Sequence, residues 1–266
     1  MATIHPTAIV SPEAHLDTDV VVGPYALIEG PVRIGARTRV GSFVHIQGHT
    51  TIGADCRIFT GACVGSIPQD LKYANEQTYL IIGDRTTIRE YSTLNPGTAA
   101  GEATTIGSDN LLMAYVHVAH NCVIGSHVII ANNGSLAGHV TLEDYVVIGG
   151  MTGIHQFCRI GTHAIVGGCS KVTMDIVPYT TADGHPARPR GLNRIGLRRR
   201  GFSPQQIASI EEAYRILFRS GLNTSDAVRK IAQLPPSPEI RSILAFVAAS
   251  KRGIARERSG GGDEGA

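Results

Sequence analysis

The sequence predicts a mainly β fold, a parallel β-helix of hexapeptide repeats followed by a small α-helical C-terminal domain. Three observations predict it. An aliphatic residue recurs at every sixth position from Ile4 to Val172, small residues and glycine recur at fixed offsets from it, and the pattern gives way after Val172 to capped amphipathic segments. Of the 29 slots in the series, 26 hold Ile, Leu or Val, which removes chance as an explanation and makes a repeat architecture the reading.

Each element follows from this repeat. A unit with one large inward aliphatic residue, one smaller inward residue and a glycine-tolerant corner suits a short strand and a turn. Three units close a coil of about 18 residues, and coils stack about 4.8 Å apart with hydrogen bonds along the axis. Cys56, Cys122 and Cys158 fall in the small inward slot, so buried structural thiols are expected. The five cysteines are odd in number and form no C-x-x-C pair, which argues against a disulfide framework or a thiolate zinc site. The series fails at Asp70, Glu76 and Ala100, so loop insertions are expected near 66–79 ("SIPQDLKYANEQTY") and near 97–105 ("GTAAGEATT"). Loops carried on a rigid scaffold often hold function.

The β-helix is expected over 1–183, with "VPYTTADGHPARPRG" read as a Pro/Gly linker into a basic helical domain over 184–256. Ser203-Pro204-Gln205-Gln206 has the form of an N-cap, a first-turn proline and a capping-box glutamine. Ile207, Ile210, Tyr214, Leu217 and Phe218 supply one apolar face, and Gly221 ends it. Further helices are expected after Thr224 and from Ser237-Pro238-Glu239, and 257–266 is expected to be a disordered tail.

The net charge of +2 conceals an asymmetry: residues 1–183 hold 15 acidic and 9 basic side chains, whereas 184–258 hold 15 basic and 5 acidic. The C-terminal section is therefore suited to an anionic partner. No apolar run approaches the length of a membrane helix, and "MATIHPTAIV" lacks a basic stretch leading into an apolar one, so a cytoplasmic protein without a transmembrane segment is expected.

Winding by eighteens turns spacing into rough geometry. His120 falls beneath Gly138 and then Gln156, with His139 and His155 one position off that column and His117 across the inward Val118. His117, His120, His139, His155 and Gln156 thus converge on one edge, near a displaced loop bearing Asp70 and Lys72. Gly150 falls under Gly168, leaving a shallow slot. Each feature also has a plain structural explanation. A surface histidine is usually solvated, stacked glycines usually serve turns, and the run Arg198, Arg199, Arg200 could be a solvated helix entry.

The chain closely resembles the acyl-ACP:UDP-N-acetylglucosamine O-acyltransferases that begin lipid A synthesis. The resemblance rests on "QDLKY" (69–73), "IGDRTTIRE" (82–90), "GSDNLLM" (107–113), "HVAHNC" (117–122), "LAGHV" (136–140), "GGMTGIHQFC" (149–158), "VGGCS" (166–170) and "LRRRGFS" (197–203). It implies a left-handed β-helix forming a homotrimer with active sites between subunits, acting without cofactor or metal. The implied substrates are UDP-N-acetylglucosamine and a 3-hydroxyacyl acyl carrier protein, with no nucleic-acid partner. By the resemblance, His120 is the general base, Asp70 orients and supports its imidazole, and the Gly138 N–H holds the oxyanion. It also implies that His117, His139 and Gln156 touch the sugar or nucleotide and that Gln69 and Lys72 line the cleft. His155, Asn193, Arg199 and Arg200 reach the donor or nucleotide side, Gly150 belongs to the slot, and Gly168 occupies the acyl-length position, where a glycine favours a longer chain. Asn95-Pro96 and Ile195 depart from the family pattern and leave open whether the acceptor carries a 3-hydroxyl or a 3-amino group.

Other readings differ in their demands. A metal hydratase on the same scaffold would use three histidines around zinc, but that family lacks the QDLKY loop and the helical domain. A related N-acyltransferase usually has an additional N-terminal domain, whereas the repeat here begins at Ile4. A non-catalytic β-helix needs no histidine-rich edge.

Overall fold

The computed structural model describes residues 1–257, so the tail expected over 257–266 lies almost wholly outside the described residues. Short strands of two to five residues, with one of six, stack into three sheets that form the faces of a prism. The first face runs from Thr3–Ile4 to Ile165–Val166, the second from Ile9–Val10 to Lys171–Val172, and the third from His15–Leu16 to Arg159–Ile160. All pairing within the prism is parallel. Thr3 pairs with Val21 and Ser135 with Gly153, the spacing of three hexapeptides. Cys63, however, pairs with Thr93, and Thr93 with His117. The two loops therefore insert two and one whole hexapeptide lengths, and this is why the aliphatic phase survives them.

The inward aliphatics form continuous columns. Ile28, Ile46, Val64, Leu94, Val118, Leu136, Ile154 and Val172 are buried one above another on the second face. Truncating one to alanine removes contacts to the coils on both sides and costs about 2–5 kcal/mol. Cys56, Cys122 and Cys158 are buried in the small slot as expected, while Cys63 is half-buried and Cys169 exposed.

The corners correct one expectation. The glycine that follows many inward aliphatics does not, except at Gly65 (φ +86°), supply the left-handed turn. At Gly35 a Cβ would lie 2.6 Å from the Gly53 carbonyl carbon, so glycine there permits close approach of successive coils. The positive φ falls two residues later on ordinary residues such as Arg37, Asp55, Asp109 and His127, and at the corresponding position of other corners on Asn121 and His139. That geometry costs about 1–2 kcal/mol per residue. Contacts between coils offset it, as in the His127–Tyr145–His163 stack, with ring centroids 4.7 and 4.6 Å apart.

The segment expected as a linker is instead an antiparallel hairpin, Thr180–Gly184 with Ala187–Leu192, that extends the first sheet across the expected boundary. Thr181 and Ala182 align with Ile165 and Val166, so backbone donors left by the last coil are paired. Four helices follow: α1 (Arg194–Arg199), α2 (Pro204–Arg219), α3 (Thr224–Ile231) and α4 (Pro238–Ala248). The capping box at Ser203 and Gln206 is formed, and α2 buries Ile207, Ile210, Tyr214 and Leu217. Ile207, Ile210 and Leu217, together with Ile240, Ile243 and Phe246 of α4, make a second apolar cluster with Val177 and Tyr179. Arg252 ties the C-terminal section to the last coils by donating to the carbonyls of Thr173 and Gln156, each at 3.1 Å. Among the described residues no helix is long and apolar enough to cross a membrane.

Candidate active site

The strand His117–Val118 fixes its neighbours by alternation: Val118 points into the core, and the chain then turns a corner through Ala119 and His120 to Asn121, whose φ is +59°. The His120 side chain is 16% exposed, held outside the prism but against it. It lies over Gly138 of the next coil, where a Cβ would come within 2.5 Å of its Cε1 and Nε2. The amide of His139 donates to the His120 carbonyl at 3.0 Å, fixing the spacing of the two coils. Among the described residues the Gly138 N–H has no hydrogen-bond partner, although its carbonyl accepts from Phe157. At the same hexapeptide position elsewhere, the amides of Ala54, Ser108 and Ser126 donate to side chains of the coil above. A free, fixed amide beside an imidazole can stabilise charge growing on an oxygen.

The first insertion carries Asp70 to this corner. Its Oδ1 accepts from the Lys72 N–H at 3.0 Å and its carbonyl from Tyr73 at 3.1 Å, which holds the carboxylate in a turn. Oδ2 lies 3.7 Å from His120 Nε2, within ion-pair range and beyond hydrogen-bond length. Asp70 thus faces Nε2 without a hydrogen bond to it, and the ring's close polar contact is at the other nitrogen, where His120 Nδ1 lies 2.9 Å from Asn121 Oδ1. The Asn121 amide in turn donates to Glu102 on the second insertion at 2.7 Å. Buried Asn95 secures the stem of the first loop, its side-chain amide donating to the carbonyls of Ser66 (2.9 Å) and Ile67 (3.3 Å). Its departure from the family pattern thus falls on loop anchoring.

A cleft of about 510 Å³ opens over the second face, lined by Gln69, His117, His120, Gly138 and His155 among the sequence-expected residues. Ser135, Gly153, Lys171 and Thr173 also line it. The first three are the register partners of His117 in successive coils, so the same stepping by eighteen could have found them. His117 Nδ1 lies 2.7 Å from Thr93 Oγ1, and burial, helped by the charge of His120, holds the imidazole below its usual pKa. Burial likewise lowers His139, whose ring stacks on Phe157 at 4.6 Å and meets His120 edge-on at 5.2 Å. His139, Gln156 and Lys72 lie outside the cleft lining; Gln156 and Lys72 are exposed.

A second cleft of about 940 Å³ lies on the first face, lined among others by Tyr145, Val147, Ile165, Asn193, Arg199 and Arg200, with Ile195 beside them. Asn193 is buried, accepts from the Gly196 N–H (3.0 Å) to cap α1, and donates to the His163 carbonyl (2.9 Å). Arg200 lies 4.2 Å over the Tyr145 ring. The two clefts share no lining residue within one chain, so the structure does not bring Asn193, Arg199 and Arg200 to His120. Gly150 and Gly168 occupy the corner between the first and second faces. A Cβ on Gly168 would meet only the carbonyl oxygen (3.2 Å) and nitrogen (3.8 Å) of Gly150, so the space outside it is open.

A left-handed β-helix of hexapeptide repeats with an imidazole, a carboxylate and a free amide at one coil corner defines a hexapeptide transferase. Residues 103–138 match the bacterial transferase hexapeptide family, and residues 175–255 match the second domain of UDP-N-acetylglucosamine O-acyltransferase. The acyl-[acyl-carrier-protein]--UDP-N-acetylglucosamine O-acyltransferase of Janthinobacterium sp. (strain Marseille) is 52% identical over 262 residues, covering 96% of this chain and all of that one. Among solved structures, the Francisella novicida UDP-N-acetylglucosamine acyltransferase superposes with a TM-score of 0.94 at 35% identity, covering 96% of this chain and 94% of that one. LpxA from Acinetobacter baumannii does so at 0.92 and 44%, covering 95% and 99%. The chain belongs to the acyl-[acyl-carrier-protein]--UDP-N-acetylglucosamine O-acyltransferase family, enzymes of the first step of lipid A synthesis.

Proposed function

We propose that the protein transfers a 3-hydroxyacyl chain from acyl carrier protein to the 3-hydroxyl of UDP-N-acetylglucosamine, with His120 as general base. The observation that carries this reading is the ring of His120 lying against Gly138, whose N–H is unpaired among the described residues. Nε2 takes the hydroxyl proton as the sugar oxygen attacks the thioester carbonyl. The carbonyl oxygen becomes an oxyanion that the Gly138 N–H stabilises. When the tetrahedral species collapses, the carbon–sulfur bond breaks, the ester remains on the sugar, and the imidazolium returns its proton to the departing thiolate. Asp70, 3.7 Å from Nε2, favours the transient imidazolium.

The separation of the two clefts on different prism faces supports a homotrimer in which the His120 cleft of one copy meets the Arg199–Arg200 cleft of another. The acidic carrier protein suits the basic section from 184 onward. Cytoplasmic residence accords with these substrates.

Turnover of UDP-N-acetylglucosamine with a ladder of 3-hydroxyacyl carrier proteins tests the reading. Wild type should prefer a long acyl chain, and Gly168→Met should move the preference to shorter ones, because the open space outside Gly168 would be filled. Absence of turnover with every carrier, or an unchanged preference, would remove the corresponding claim.

A further inference from the structure

Building on His120 as the base, we infer that Glu102 is a positioning residue that fixes the tautomer of His120 through Asn121. A carboxylate can only accept hydrogen bonds. Glu102 Oε2 lies 2.7 Å from Asn121 Nδ2 and also accepts from the Ala99 N–H at 3.0 Å. The Asn121 side chain is therefore set with its NH2 group toward Glu102, since the flipped amide would face oxygen against oxygen. Its Oδ1 then points at Thr98 and His120. The Thr98 hydroxyl donates to that oxygen at 2.9 Å, and its distance of 3.5 Å from Glu102 makes Asn121 the better acceptor. Oδ1 can only accept from His120 Nδ1, also 2.9 Å away. Nδ1 therefore carries the proton, and the neutral ring keeps its lone pair on Nε2, the nitrogen facing Asp70 and the Gly138 corner.

Glu102 is well suited to this task. The Ala99 amide and the Asn121 side chain hold its carboxyl below the usual range, so it stays ionised and remains an obligatory acceptor. The two insertions thus act on opposite nitrogens of one ring: the first brings Asp70 toward Nε2, and the second sets Nδ1 through an amide.

The test uses the full-length enzyme and steady-state kinetics with UDP-N-acetylglucosamine and a 3-hydroxyacyl carrier protein. Glu102→Gln frees the Asn121 amide to flip, and Asn121→Asp sets two carboxylates against each other. Each should lower kcat about tenfold or more while KM for the sugar nucleotide stays within about twofold. The double variant moves the carboxylate inward with an amide donor behind it, and should recover kcat to within about threefold of wild type. An unchanged kcat in Glu102→Gln, or a double variant that loses the product of the two single losses, overturns the inference. If Asn121→Asp fails to fold, Ala variants at both positions decide it: Glu102→Ala should add no loss to Asn121→Ala if it acts through that residue. A fully active His120→Ala enzyme would instead remove the base assignment on which this rests.

Discussion

The imidazole of His120 occupies the space that a side chain on Gly138 would fill, with Cε1 and Nε2 each 2.5 Å from that Cβ position. Two residues one coil apart therefore constrain each other: glycine at 138 is what allows the ring to lie beside a free amide. Gly138→Ala should push the imidazole off the corner and lower kcat about 100-fold. Because the added Cβ meets the end of the His120 side chain and not the inward aliphatics, thermal melting of the variant should stay within a few degrees of wild type. Retention of full activity would separate the ring from the amide in function.

Asn95 secures the loop that carries Asp70 by two bonds to its stem. Asn95→Ala should let the loop depart from its register, lowering kcat about 10- to 100-fold. Limited proteolysis should then cut within 66–79 faster than in wild type. Unchanged cleavage would show that other contacts, such as the Gln47 amide on Ser66 Oγ at 3.0 Å, suffice.

Burial, and then the charge of Arg200, holds His163 down to about 4, against an ordinary value of 6.5. Between these values the unfolded chain binds more protons than the folded one, so this residue favours unfolding as pH falls. Its contribution to stability is complete above about 6.5 and is lost progressively toward 4. His163→Phe, which keeps the stack with Tyr145 and Tyr179, should remove on the order of 1–2 kcal/mol of the stability lost over that window. Denaturant melts at pH 7.5 and 4.5 on both proteins measure it. An equal pH dependence in the two would contradict the assignment.

Since the His120 and Arg199–Arg200 clefts are separate within one chain, inactive variants should complement each other. Mixed oligomers reassembled from His120→Ala and Arg199→Ala/Arg200→Ala chains should regain activity that neither has alone, because some clefts then pair two intact halves. No recovery despite confirmed mixing would place both halves in one subunit.

The prism was legible because its physics is periodic. One aliphatic residue in six must face inward, and insertions of whole hexapeptides kept even the broken coils in phase. The same stepping brought Gly138 to His120, since backbone register alone sets that pair. It does not reach Glu102, because an insertion's path depends on contacts with no fixed spacing, although Asn121 is the chain neighbour of His120. The hairpin over Thr180–Leu192 read as a linker because its prolines and glycines mark turns locally, while its strand state comes from pairing with Ile165 and Val166. Asn193, a ligand contact by the resemblance, lines the second cleft and also caps α1 through its side-chain oxygen, a structural role that the resemblance does not carry.

The most direct measurement is kcat/KM for the His120→Ala enzyme with UDP-N-acetylglucosamine and its preferred acyl carrier, alongside a check of oligomeric state and melting. With His120 as the base, turnover should fall about 100- to 10,000-fold in a protein that assembles and melts as wild type does. Activity within about threefold of wild type in such a protein would contradict the account, because no general-base step would then be lost with the ring.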